Sequence, residues 1–131
     1  MVGVIAVLTF LVTGQFMKHH TPPMASLSDA ARLMYRSRHI YILASGLVNA
    51  MLGLYIQPRT RWRMTAQRIG SILLISSPAL LIVAFAVEPE RGLQPEMWWS
   101  AAGLYALFGG RMAHLASAIG QPMEQPVKIL N

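Results

Sequence analysis

The chain has 131 residues, 54% hydrophobic and 12% charged, with a formal net charge of +6 and no cysteine. So little charge is about half the share usual in soluble domains, the length leaves room for one domain, and the lack of cysteine excludes disulfides, thiolate nucleophiles and Cys-ligated clusters. Basic residues crowd the ends of apolar stretches, where they anchor helices and meet anionic headgroups, which argues against nucleic acid as a partner.

Four apolar stretches predict an all-α fold: an integral-membrane four-helix bundle with short connecting turns. The single domain covers 1–131, with spans at 2–17, 36–56, 67–87 and 97–118. About 20 residues of helix cross a hydrocarbon core, and somewhat fewer suffice with interfacial flanks. Helices satisfy their own backbone hydrogen bonds in lipid, so four of them can share a short chain.

Span one lacks a positive leader and a small-x-small cleavage pattern, so it reads as a membrane helix rather than a signal peptide. Thr9, Thr13, Phe16 and His20 share one of its faces by helical spacing. Thr21-Pro22-Pro23 stops it, because proline lacks the needed donor. Ser26 is the expected cap of the next helix, with Asp29 in its first turn, and 29–35 reads as a helical lead-in to span two.

Span two holds one strongly polar side chain, Asn49. It is expected to hydrogen-bond Thr9, Ser76 or Ser77, or else to touch a ligand within the bundle. Gly46, Ala50 and Gly53 form a small-residue seam that lets helix backbones approach closely. The short basic turn 58–64 implies an antiparallel hairpin of spans two and three. Span three carries Ser76-Ser77-Pro78, a mild kink whose freed carbonyls the serines can re-satisfy. An acidic turn begins at Glu88, and Trp98 and Trp99 fall at the level of an aromatic belt. Span four shows a second seam, Ala102, Ala106, Gly110, Ala113 and Ser117, before an irregular tail.

Lys and Arg divide five against six between the two sides of this topology. If Arg36 and Arg38 serve a site rather than topology, the balance places both termini in the cytoplasm, in a bacterial inner membrane.

The principal constellation is His19, His20, Arg36, Arg38 and His39, where span one leaves the membrane and span two enters. His20 and His39 are candidate axial ligands of haem b, with guanidiniums pairing its propionates. The same groups suit a phosphate, a lipid headgroup or a quinone carbonyl. The plainer reading is an interfacial belt that touches headgroups. Met17, His19, His20 and Met24 are an alternative copper set. Arg68, Arg111 and His114 form a candidate second polar site at the opposite side, unless Arg111 merely snorkels. No carboxylate falls mid-membrane, which disfavours a proton-coupled pump.

Arg36-Ser37-Arg38-His39-Ile40-Tyr41 resembles the basic start of span two in the membrane glutathione transferase and eicosanoid (MAPEG) family. Ile42 and Leu43 stand where that family carries an asparagine and a glutamate. The resemblance implies a four-span trimer around a thiol-bearing cofactor. Phe16-Met17-Lys18-His19-His20 is similar to the end of the first span in small haem-containing protoporphyrinogen oxidases.

The leading expectation is a non-catalytic membrane module that binds haem or another anionic or quinone-like ligand at the first constellation. The alternatives are a MAPEG-like transferase and a structural subunit. Its partners would be the lipid bilayer and further copies or a larger membrane complex.

Overall fold

The computed structural model describes residues 1–55, 62–91 and 97–119. Four α-helices carry almost all of them: α1 (Val2–Lys18), α2 (Asp29–Tyr55), α3 (Trp62–Val87) and α4 (Trp98–Ala118). Short 3-10 turns at Met24–Ser26 and Pro89–Arg91 punctuate the connectors. No strand occurs among the described residues. The basic turn at 58–61, Glu96 and the tail 121–131 lie outside them.

The lead-in does continue without a break into span two, giving a 27-residue helix. Its start differs in detail from expectation. Ser26 donates to the Pro23 carbonyl within the 3-10 turn, whereas the Ser28 hydroxyl accepts the backbone N–H of Ala31. Ser28 is therefore the cap, with Asp29 in the favourable first turn and paired to Arg32.

Each helix packs on its neighbour in sequence: α1 on α2, α2 on α3 and α3 on α4. Helix α1 does not run along α4, so the four form a chain of contacts rather than a closed square. Small residues set the two tightest seams. A Cβ on Gly3 would lie 2.5 Å from the Ala50 nitrogen and 2.6 Å from the Gly46 oxygen. A Cβ on Gly70 would lie 2.9 Å from the Gly110 oxygen. Both seams need bare backbone because real Cβ atoms do not approach so closely. Gly53, expected to join the first seam, instead faces open space, with nothing among the described residues within 4 Å of its would-be Cβ. Ala102, assigned to the second seam, is exposed.

The apolar core lies toward the end where α1 finishes. Tyr35, Ile42, Leu81 and Phe85 form it, joined by Phe10, Met17, Met24 and Leu27. Tyr35 meets Phe85 edge-on at 5.3 Å, and Phe16 meets Phe85 at 5.9 Å. Edge-to-face pairs of this kind each contribute about 0.5–1.5 kcal/mol beyond area burial.

Asn49 supplies the main polar tie between α2 and α3. Its Nδ2 donates to the Ser45 carbonyl at 2.9 Å and to the Leu74 carbonyl at 2.8 Å. Leu74 is four residues before Pro78, so its carbonyl is the one that proline leaves without a helical donor. The expected serine repair happens elsewhere: Ser76 donates to its own turn at Leu73, and Ser77 reaches the Gly103 carbonyl of α4 at 2.9 Å. The kink of α3 is therefore satisfied from a neighbouring helix.

This tie is testable by a double-mutant cycle. Asn49→Leu should destabilise the fold by about 1–3 kcal/mol, the cost of leaving a buried acceptor unpaired. Most of that loss should vanish in a Pro78→Ala background, where the alanine N–H can reach the Leu74 carbonyl. Unfolding in mixed micelles, followed by circular dichroism, reads all four corners of the cycle.

Candidate functional site

Three histidines cluster where α1 meets the first half of α2, but not at one depth. His19 caps α1 and donates from Nδ1 to the Gln15 carbonyl at 3.0 Å. His20 donates from Nδ1 to the Pro22 carbonyl at 2.6 Å and lies edge-on to Tyr35 and Phe16. His39 sits one turn deeper along α2 than Tyr35, about 6 Å by the helix rise. Its ring stacks on Phe10 at 4.0 Å, and Nδ1 pairs with the Thr13 hydroxyl at 2.8 Å. Thr13 also reaches the Phe10 carbonyl at 3.0 Å, so with that hydrogen committed its oxygen accepts from His39.

The fit to haem fails at His39. The ring edge bearing Nε2 lies against Gly14, 3.6 Å from where a Cβ there would stand. A porphyrin must lie square across the coordinating nitrogen, and Gly14 of α1 adjoins that edge of the ring. Phe10 covers the ring face as well. His20 and His39 are thus packed residues of the α1–α2 interface rather than opposed axial ligands. Among the described residues no group of three His, Asp or Glu is arranged to hold a metal ion.

Arg38 is closed off from ligands by Glu88, the first residue of the acidic turn. Its Nε donates to Glu88 Oε2 at 2.7 Å, a second guanidinium nitrogen lies 2.6 Å from the same oxygen, and Nη1 donates to the Met34 carbonyl at 3.2 Å. Arg38 is 3% exposed and Glu88 4%. Glu88 also accepts the Ser100 backbone N–H at 3.0 Å and the Ser100 hydroxyl. Ser100 is the third residue of α4, whose own N-cap, Met97, gives no side-chain cap. The Glu88 carboxylate therefore caps α4 from the end of α3, where the helix dipole favours a negative charge.

Burial alone would raise the Glu88 pKa. Hydrogen bonds from the Ser100 hydroxyl and backbone, together with the Arg38 hydrogen bond and charge, outweigh it and hold the carboxyl below its ordinary value. The clue to this role in sequence was its place one residue past an apolar helix, before Pro89. Pairing with Arg38, 50 residues away, had no local signal.

Arg36 points elsewhere from Arg38. With Met17, Lys18, Met24 and Arg32 it lines a cavity of about 230 Å³. The wall is mostly apolar, built from two methionines and the stems of three cations, so two of the proposed copper ligands, Met17 and Met24, adjoin positive charge instead. Asn49 is ten residues along α2 from His39, about 15 Å away, and does not join this group. At the other end, His114 Nε2 and the Ser71 hydroxyl pair at 3.1 Å. Arg68 and Arg111 are exposed, and Arg111 is close enough for its charge to act on His114.

The chain matches no known protein family, no curated protein and no solved structure.

Because the folded Glu88 pKa lies below its unfolded value, the ion pair's stabilisation is complete above the unfolded carboxylate range. It is lost as pH falls through the folded value. Melting temperature in micelles should therefore fall on acidification below about pH 4, and Glu88→Gln should flatten that dependence. At neutral pH, Arg38→Met should cost about 3–5 kcal/mol by stranding a buried carboxylate.

Proposed function

We propose that the chain is a non-catalytic, multi-pass membrane module that holds an anionic amphiphile at the end shared by α1 and the start of α2. The observation that carries this reading is the cavity lined by Lys18, Arg32 and Arg36 over Met17 and Met24. Three cations suit a phosphate or carboxylate headgroup, while an apolar wall suits the adjoining chain. Arg32 is tied to Asp29 only by an exposed pair, which contributes little and can rearrange.

Insertion of all four helices is the frame for this reading. By length and composition α3 is long and apolar enough to cross a bilayer, and α1 is a shorter apolar helix. Large apolar side chains nonetheless face outward on every helix, among them Val12 at 66%, Met51 at 60%, Ile72 at 67% and Phe108 at 67% exposure. A soluble monomer rarely shows apolar surface so continuous. In a bilayer these faces meet acyl chains or the helices of an assembly. With Arg38 neutralised internally, the Lys and Arg balance becomes four against six. That favours both termini on the cytoplasmic side, in a bacterial inner membrane.

Two measurements test the proposal. The native chain has no cysteine, so single cysteines can be placed cleanly. His20→Cys and Glu90→Cys should label from one side of a sealed vesicle, and Met64→Cys from the other. Labelling of all three from one side would refute the topology. In nanodiscs, the wild type should retain phosphatidylglycerol over phosphatidylcholine, and Lys18→Gln with Arg36→Gln should weaken that preference about tenfold, on the order of 0.7 kcal/mol for each lost charge contact. Equal retention by wild type and variant would overturn the site.

A further inference from the structure

The cavity at the end of α1 supports a finer assignment, which rests on the anionic site proposed above. Two helices contribute its cations. Lys18 closes α1, while Arg32 and Arg36 stand one turn apart on α2, about 6 Å by the helix rise. Like charges at that spacing repel, so the pair is unfavourable until an anion lies between them.

The protein supplies little of that anion. Asp29 pairs with Arg32 from the exposed first turn of α2, and Glu88 is spent on Arg38. Glu90 stands near Tyr35, about 100° round α2 from Arg36. Neither Lys18 nor Arg36 meets a carboxylate among the described residues. Three lining cations against one paired acid leave two positive charges in excess.

Charge and donor geometry then choose among anions. A carboxylate or phosphodiester carries one negative charge and two free oxygens, which one guanidinium fork occupies. A phosphate monoester carries close to two charges near neutral pH, on three oxygens. Its charge cancels the excess, and its third oxygen lets Arg32 and Arg36 both engage while Lys18 closes from α1. The wall beside these cations is Met17 and Met24. Methylenes next to the ester suit that wall, whereas a sugar or nucleoside there would lose water without gaining partners. We infer that this cavity holds the terminal phosphate monoester of a long-chain lipid, in preference to the phosphodiester headgroups of bulk phospholipids.

Three dioleoyl lipids isolate the chemistry. They are phosphatidic acid, phosphatidylmethanol (the same phosphate closed to a diester by one methyl) and zwitterionic phosphatidylcholine. The full chain is placed in phosphatidylcholine nanodiscs with equal minor fractions of both anionic lipids, at about pH 8 so that the monoester is doubly ionised. Native mass spectrometry counts the lipid retained, per mole present. Phosphatidic acid should be retained about fivefold over phosphatidylmethanol, the effect of one further charge at a cationic rim, and phosphatidylmethanol over phosphatidylcholine. Arg36→Lys keeps the charge but loses the fork. It should erase most of the first preference and leave the second, and because Arg36 is exposed the fold tolerates the change. Equal retention of the two anionic lipids, both above phosphatidylcholine, would overturn the monoester assignment and leave the anionic site standing. Equal retention of all three would remove both. An unchanged first preference in Arg36→Lys, or displacement of phosphatidic acid by equimolar glycerol phosphate, would also overturn the assignment.

Discussion

A carboxylate removed from water has to find its compensation within the protein, and Glu88 finds it from two helices at once. Arg38 of α2 neutralises it, while the first turn of α4 offers a backbone N–H and the Ser100 hydroxyl. Because Glu88 directly follows α3, three helices are referred to one side chain. The consequence for ligands is as important as that for packing. A guanidinium held against a carboxylate and the Met34 carbonyl has little charge left to offer an anion, so the proposed anion site falls to Lys18, Arg32 and Arg36 instead.

A second polar tie works deeper, by different chemistry. Pro78 leaves the Leu74 carbonyl without its helical donor, and Asn49 supplies one from α2. In the membrane setting proposed above there is little hydrophobic drive for apolar helices to associate, so close backbone contact and hydrogen bonds carry the specificity. The Gly3–Gly46–Ala50 and Gly70–Gly110 seams supply the first, while Asn49 and Ser77 supply the second. The aromatic core around Tyr35 and Phe85 is confined to one end. The two ends are consequently held by different means: ion pair and rings at one, amide and small residues at the other.

Much of the architecture was legible because the signals were local. Helix periods, Thr21-Pro22-Pro23 as a stop and the continuous 29–55 helix all follow from runs of a few residues. The pairing of Gly46 and Ala50 with another backbone was readable too, though not that Gly3 would be the partner. What escaped were facts set by tertiary register. Sequence alone pairs Asn49 with side-chain hydroxyls, yet the stronger demand comes from a backbone carbonyl whose donor a proline four residues on removes. Arg38 was grouped with His39 and Arg36 by proximity in sequence, but residues two apart on a helix point about 200° apart. Their positions at helix ends suggest that His20 and His39 lie together where span one leaves the membrane and span two enters. Helix α2 begins ten residues before His39, which carries that ring inward along α1.

The small residues along α1 and α2 do not all serve the same end. Gly3 admits the backbone of α2 to contact distance, whereas Gly53, two turns past Gly46, is exposed and meets no neighbour among the described residues. A glycine that gains close contact offsets its conformational cost by packing; one facing open space has no such return. The close approach of α1 to α2 therefore depends on Gly3 and Gly46 and not on Gly53.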